Sequence, residues 1–95
     1  MFELTVPEEM LEKLRDMLDD EESCVRLREY KTGGGCHSKI VLGLGIDELD
    51  EDEDERIQVE DVPFIAEKDF LLKHGRKYTL SFSDKKEVVL TPEAE

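Results

Sequence analysis

Cysteine is scarce in this chain of 95 residues, and cations are outnumbered by anions. Only Cys24 and Cys36 are present. Two thiols are too few for a disulfide framework, and no C-x-x-C pair exists from which one chain could build a thioredoxin-like site or a zinc knuckle. A bond between the two is disfavoured in a reducing compartment. Lysine and arginine total 13 against 26 aspartates and glutamates, a net charge of −13. Phosphate-rich partners need cations opposite them, so nucleic acid and anionic membrane surfaces are not expected as partners. Tryptophan is absent and aromatic residues make up 6%. No apolar run approaches the length of a membrane span. The opening "MFELTVPEEM" lacks a basic segment followed by an apolar one, so it does not read as a signal peptide, and a cytoplasmic location is expected. With 38% hydrophobic and 41% charged residues, residues 1–95 read as one domain with a small core and a heavily ionised surface.

What is there falls into a clear order. Thr5 and Glu8 have the spacing of a capping box, Pro7 suits a first turn, and Met10, Leu11, Leu14, Met17 and Leu18 recur at helical spacing. A helix is therefore expected over "LTVPEEMLEKLRDMLDD". From Cys24 the period changes to two: "CVRLREY" puts Val25 and Leu27 on one side and Arg26 and Arg28 on the other. "KIVLGLGID" alternates again, with Val41, Gly43 and Gly45 on a second face that should lie close under another layer. The run "DELDEDEDE", Asp47 to Glu55, reads as an acidic, solvated, mobile loop. Two short strands, Ile57 to Val59 and Val62 to Ala66, follow it. "KDFLLKHG" reads as a short helix ended by Gly75, with His74 meeting the last helical carbonyls rather than a metal. The hairpin "KYTLSF"–"SDKK"–"EVVLT" comes last, with a frayed tail over 92–95. This is an α+β domain with two small, mostly antiparallel sheets. The expected core is Met10, Leu14, Leu18, Val25, Leu27, Ile40, Leu42, Leu44, Phe64, Leu80, Phe82 and Val88.

The stretch "KTGGGCHSK", Lys31 to Lys39, raises the functional question. Its glycines permit sharp turning and close approach, and Cys36 at their end can be a metal ligand, a redox thiol or a small apolar residue. As a phosphate loop it fails, because the G-x-x-x-x-G-K-[ST] order is missing and no helix follows. Cys36 and His37 are sequence neighbours without an orienting acid at readable spacing, so the chain is not expected to be an enzyme. Cys24 opens an alternating strand and reads as a buried, apolar-like residue, so Cys36 should be the more accessible thiol. The acidic run matches a calcium loop only at its opening, Asp50, Asp52 and Asp54. Glu55 stands where that loop needs glycine and Asp61 where it needs glutamate. A basic partner surface is the simpler use of such a run.

Taken in order, these segments resemble the HesB-like family, the A-type carriers of iron–sulfur cluster assembly. The resemblance rests on the opening strand and helix, on Gly34, Gly35 and Cys36, on "LGLGIDE", on "VPFIAEKDFLLKHG" and on "YTLSF". It implies a β-rich pseudobarrel with an N-terminal and a short second helix, and binding of iron or an iron–sulfur cluster through Cys36. It also implies protein partners, namely iron–sulfur assembly factors or recipient proteins. The chain departs from the family pattern at its end, where "DKKEVVLTPEAE" contains no C-G-C-G cysteines. A two-iron cluster needs four ligands, usually thiolates and sometimes histidine. One chain offers Cys36 and His37, so a homodimer would be required to reach the count. The alternative is a HesB-like module that binds no metal and works by protein contacts.

Overall fold

The computed structural model describes residues 2–18, 20–32 and 39–93. β1 (Glu3–Thr5) leads into α1 (Glu8–Met17). The expected capping box is not formed: Thr5 belongs to β1, where it lies opposite Thr79, and Pro7 takes the N-cap position without a side-chain bond. Pro7 suits that position because its φ of −62° is fixed by the ring and its carbonyl accepts from Met10 and Leu11. Glu8 and Glu9 then sit at the positive end of the helix dipole. Met10, Leu11 and Leu14 are buried, each side chain contributing about 1.5–3 kcal/mol. Met17, at the last helical position, stays half exposed, and Leu18 has already turned to extended backbone.

Among the described residues seven strands form two sheets. β2 (Ser23–Thr32), β3 (Lys39–Glu48), β4 (Asp54–Val59) and β5 (Val62–Glu67) make one, in the order β3-β2-β5-β4. β6 (Lys77–Phe82) and β7 (Val88–Pro92) join β1 in the other, in the order β1-β6-β7. The β2–β5 and β1–β6 pairings are parallel and the rest antiparallel. Among the described residues the two sheets do not close into a barrel, and the molecule is a small α+β domain. β5 is flanked by strands on both sides and covered on both faces, so Val62, Phe64, Ile65 and Ala66 are all buried. α2 (Lys68–His74) follows directly and ends at Gly75, whose φ of +109° disfavours any side chain and whose N–H donates to Leu71.

The strand phases are those the alternation predicts. Val25 and Leu27 are buried, and Leu42, Leu44 and Ile46 pack against the same core. Of the expected core residues, Leu18, Leu42, Leu44 and Phe82 are partly buried against the core, and Ile40 and Val88 are exposed, at 51% and 40%. Both exposed residues lie at strand ends, Ile40 second in β3 and Val88 first in β7. Phe2, Phe70, Leu71, Tyr78 and Leu90 take their place in the core. Pro92 is paired in β7 and the Glu93 N–H donates to Lys77, so the chain is held through 93; residues 94–95 lie outside the described residues.

One feature of pairing decides where the functional features sit. β2 meets β3 at ten positions, from Ser23 opposite Glu48 to Thr32 opposite Lys39. It meets β5 at only two, Val25 with Phe64 and Arg26 with Ile65. Beyond Arg26, therefore, β2 and β3 continue as a two-stranded ribbon.

Candidate functional site

The expected ligands Cys36 and His37 lie outside the described residues. The backbone register brings Thr32 and Lys39 opposite each other at the end of the ribbon, and residues 33–38 link them there. The acidic run lies at the other end of β3. Those two ends carry different chemistry, and the described residues specify the acidic one in detail.

At that end Arg26 is the organising group. Alternation puts it on the outer face of β2, where burial of a lone cation would be costly. Its guanidinium donates two hydrogen bonds to Asp54, at 2.7 and 2.6 Å, and others to Asp47 at 2.9 Å and to the Glu48 carbonyl at 3.1 Å. The Asp54 side chain is wholly buried and that of Arg26 is 10% exposed. Burial pushes the Asp54 carboxyl up, but the Arg26 bonds, the Asp50 N–H and the Arg26 charge outweigh it and hold the group below the usual carboxylate range. The expectation of a solvated loop over Asp47 to Glu55 is thus corrected. Asp47 and Glu48 belong to β3, Asp54 and Glu55 to β4, and the loop proper is the short turn between them. Within it Asp50 accepts from the N–H groups of Asp52 and Glu53, at 3.0 and 3.3 Å, and its own N–H donates to Asp54. Of the three aspartates that open like a calcium loop, Asp50 and Asp54 accept from internal donors instead of facing a common centre. Among the described residues no group of three or more histidine, cysteine, aspartate or glutamate side chains is placed to hold a metal ion.

A second ionic group ties the ribbon to α2. Glu29 accepts from Lys73 and pairs with His74, whose ring packs on Phe70 with centroids 4.8 Å apart. This replaces the expectation that His74 would bind the last helical carbonyls. The Gly75 N–H already caps the helix, which leaves the imidazole free to reach across to β2. The His74 and Lys73 contacts hold the Glu29 carboxyl low. A cleft of about 630 Å³ opens between the free edge of β2 and α2, walled by Arg26, Glu29, Glu67, Asp69, Phe70 and Lys73. Several of its charges are engaged with one another.

Cys24 is buried, with its thiol against the Glu22 carbonyl at 3.7 Å. Burial pushes that thiol up, more than nearby Arg56 and Arg26 pull it down, so it is a poor nucleophile and ligand at neutral pH. Its placement is as expected for a small buried residue. The Arg26–Asp54 pair was not legible in the sequence, because no spacing rule joins charges that distant; the alternation of "CVRLREY" marks Arg26 only as outward-facing. The expectation that the face of Val41, Gly43 and Gly45 lies under another layer is corrected: that face is exposed at Val41, and side chains of the adjoining strand lean over the two glycines. A Cβ on Gly43 would lie 2.8 Å from the Tyr30 ring, and one on Gly45 2.8 Å from the Arg28 stem. No helix among the described residues is long and apolar enough to cross a membrane. Compared with protein-family models, curated proteins and solved structures, the chain gives no match.

Proposed function

We propose that this chain is a divergent HesB-like protein, similar to the carriers of iron–sulfur cluster assembly, with Cys36 as its loop thiolate and iron or a cluster as its cargo. The observation that carries the reading is the unbroken β2–β3 ladder ending at Thr32 and Lys39. It joins the segment containing Gly34, Gly35 and Cys36 to the sheet at the end remote from the acidic run. The order of strands and helices around it supports the same reading: strand, helix, the paired strands, the hairpin bearing "VPF", a short helix and a final hairpin. The described residues add no second thiolate, since Cys24 is buried. A cluster held by one chain does not fit this donor set, and the reading requires a homodimer that pairs two Cys36 with two His37. Such a protein would be a cytoplasmic carrier rather than an enzyme, exchanging its cargo with assembly factors or recipient proteins.

The second reading, a HesB-like module that works by protein contacts alone, is favoured by the exposed ribbon face of Tyr30 and Val41. Anaerobic reconstitution with iron and sulfide, followed by visible absorption, separates the two. The carrier reading expects uptake that Cys36→Ser abolishes and Cys24→Ser leaves intact, because a hydroxyl replaces a soft thiolate poorly. Equal loss in both variants contradicts the assignment to Cys36. No uptake by the wild type leaves the binding module as the function.

A further inference from the structure

The ribbon beyond Arg26 differs in charge from the rest of the chain. Residues 28–46 contain one acid, Glu29, in a sequence that has 26. That carboxylate is engaged by Lys73 and His74 on the inner side. On the outer side Arg28 and Tyr30 stand in line, with the guanidinium 5.9 Å from the ring centroid. Among the described residues no carboxylate lies within ion-pair distance of Arg28 or of Lys31. Tyr30 is 39% exposed and Val41, opposite it, 40%.

The two glycines make this face flat. Each β2 side chain leans diagonally over β3: Tyr30 covers Gly43, Arg28 covers Gly45, and Arg26 reaches Asp47. The Tyr30 hydroxyl donates to the Leu44 carbonyl at 2.8 Å, which fixes the ring against the strand. An aromatic ring so held loses little freedom when a partner covers it, and tyrosine with arginine is the side-chain chemistry that dominates binding surfaces.

We propose that Arg28, Tyr30 and Val41 form a docking surface for a carboxylate-bearing segment of a partner protein. Charge complementarity selects that occupant: the patch presents a cation with no ion-pair partner among the described residues beside apolar surface. The chain's own acidic run does not oppose it strongly. Asp47 is engaged by Arg26 at 2.9 Å. Asp47 is close enough to feel the charge of Arg28, but its carboxylate is bonded to Arg26 and leaves the Arg28 guanidinium without an ion pair among the described residues. The proposal does not depend on cluster binding, and its test uses protein without iron.

The test is fluorescence anisotropy with a labelled hexaglutamate peptide, with backbone amide shifts to map contact. Binding should weaken with salt, move the amides of residues 28–30 and 41–43, and fall at least about fivefold in Arg28→Glu. Tyr30→Phe should weaken binding less, and Tyr30→Ala more, with native circular dichroism confirming the fold. Lys85→Glu makes the same charge change on the β6–β7 turn and should leave affinity within about twofold. Equal losses in Arg28→Glu and Lys85→Glu would reduce the effect to bulk charge and overturn the proposal, as would absence of hexaglutamate binding. Self-association that Arg28→Glu abolishes, without peptide binding, would assign the face to a second copy and overturn it likewise.

Discussion

Replacing Asp54 with asparagine removes the charge that faces Arg26 while keeping the side chain's shape. The pair is joined by two bonds of 2.6–2.7 Å, with the acid wholly buried. Unit charges about 4 Å apart attract by about 4 kcal/mol at an effective dielectric constant of 20, and breaking one partner of a buried pair typically costs about 3–5 kcal/mol. Arg26 retains Asp47 and the Glu48 carbonyl, which places the expected loss at the low end, about 3 kcal/mol. A domain of this size has about 5–14 kcal/mol in total, so the loss is a large share and should lower the urea midpoint by about 2 M. The pH dependence follows from the depressed carboxyl of Asp54. Its stabilisation is complete above the unfolded value of about 3.9 and is lost as pH falls through the lower folded value. The gap between wild type and Asp54→Asn should therefore be constant from about pH 5 to 7 and narrow below about pH 4. Replacing both partners, as Arg26→Met with Asp54→Leu, should cost less than either single change, because no buried charge is left alone. A single-variant loss under about 0.5 kcal/mol, or additive losses in the double variant, would refute the assignment of Arg26 as the clamp on the acidic run.

Two further outcomes are expected. Gly43→Ala should destabilise by about 1 kcal/mol in urea unfolding, since its Cβ would press on the Tyr30 ring at 2.8 Å, and the penalty should vanish in a Tyr30→Ala background; an unchanged penalty there would mean the ring is not what the glycine accommodates. A thiol reagent followed by mass spectrometry should label Cys36 in native protein and Cys24 only on unfolding, because the Cys24 thiol is buried and pushed up; prompt labelling of Cys24 would contradict its burial.

Local regularities were readable in the sequence where one face alone is buried. Val25, Leu27, Leu42 and Leu44 alternate because only one side of the ribbon meets the core, and Met10, Leu11 and Leu14 recur because one stripe of α1 does. β5 was harder to read, since burial on both faces erases alternation and turns Ile65 and Ala66 into core alongside Phe64. Ile40 and Val88 follow the alternation yet stay exposed, because periodicity tells which way a side chain points and not whether another layer reaches that far. The acidic run misled for a related reason. Composition describes a string of carboxylates as solvated, but Asp54 is buried once Arg26, from another strand, comes to lie beside it. The candidate site remains divided in the same way: Cys36 and His37 stand out as residue types, whereas the Arg28–Tyr30 platform becomes visible only through the register that sets Gly43 and Gly45 beneath it.

The parallel pairing of β1 with β6 bears on the order in which this chain folds. The hairpins β2–β3, β4–β5 and β6–β7 each close short loops, whereas β1 pairs with β6 by joining residues 3 and 77. Loop-closure entropy rises with the logarithm of length, so that contact costs roughly 2 kcal/mol more to initiate than a hairpin of several residues. It is formed most cheaply after the β2–β5 pairing has already shortened the intervening chain. The N-terminal strand and α1, which caps the core with Met10 and Leu14, are then expected to dock late, as a lid on a preformed set of hairpins. Substitutions in α1 should accordingly speed unfolding and leave the refolding rate nearly unchanged.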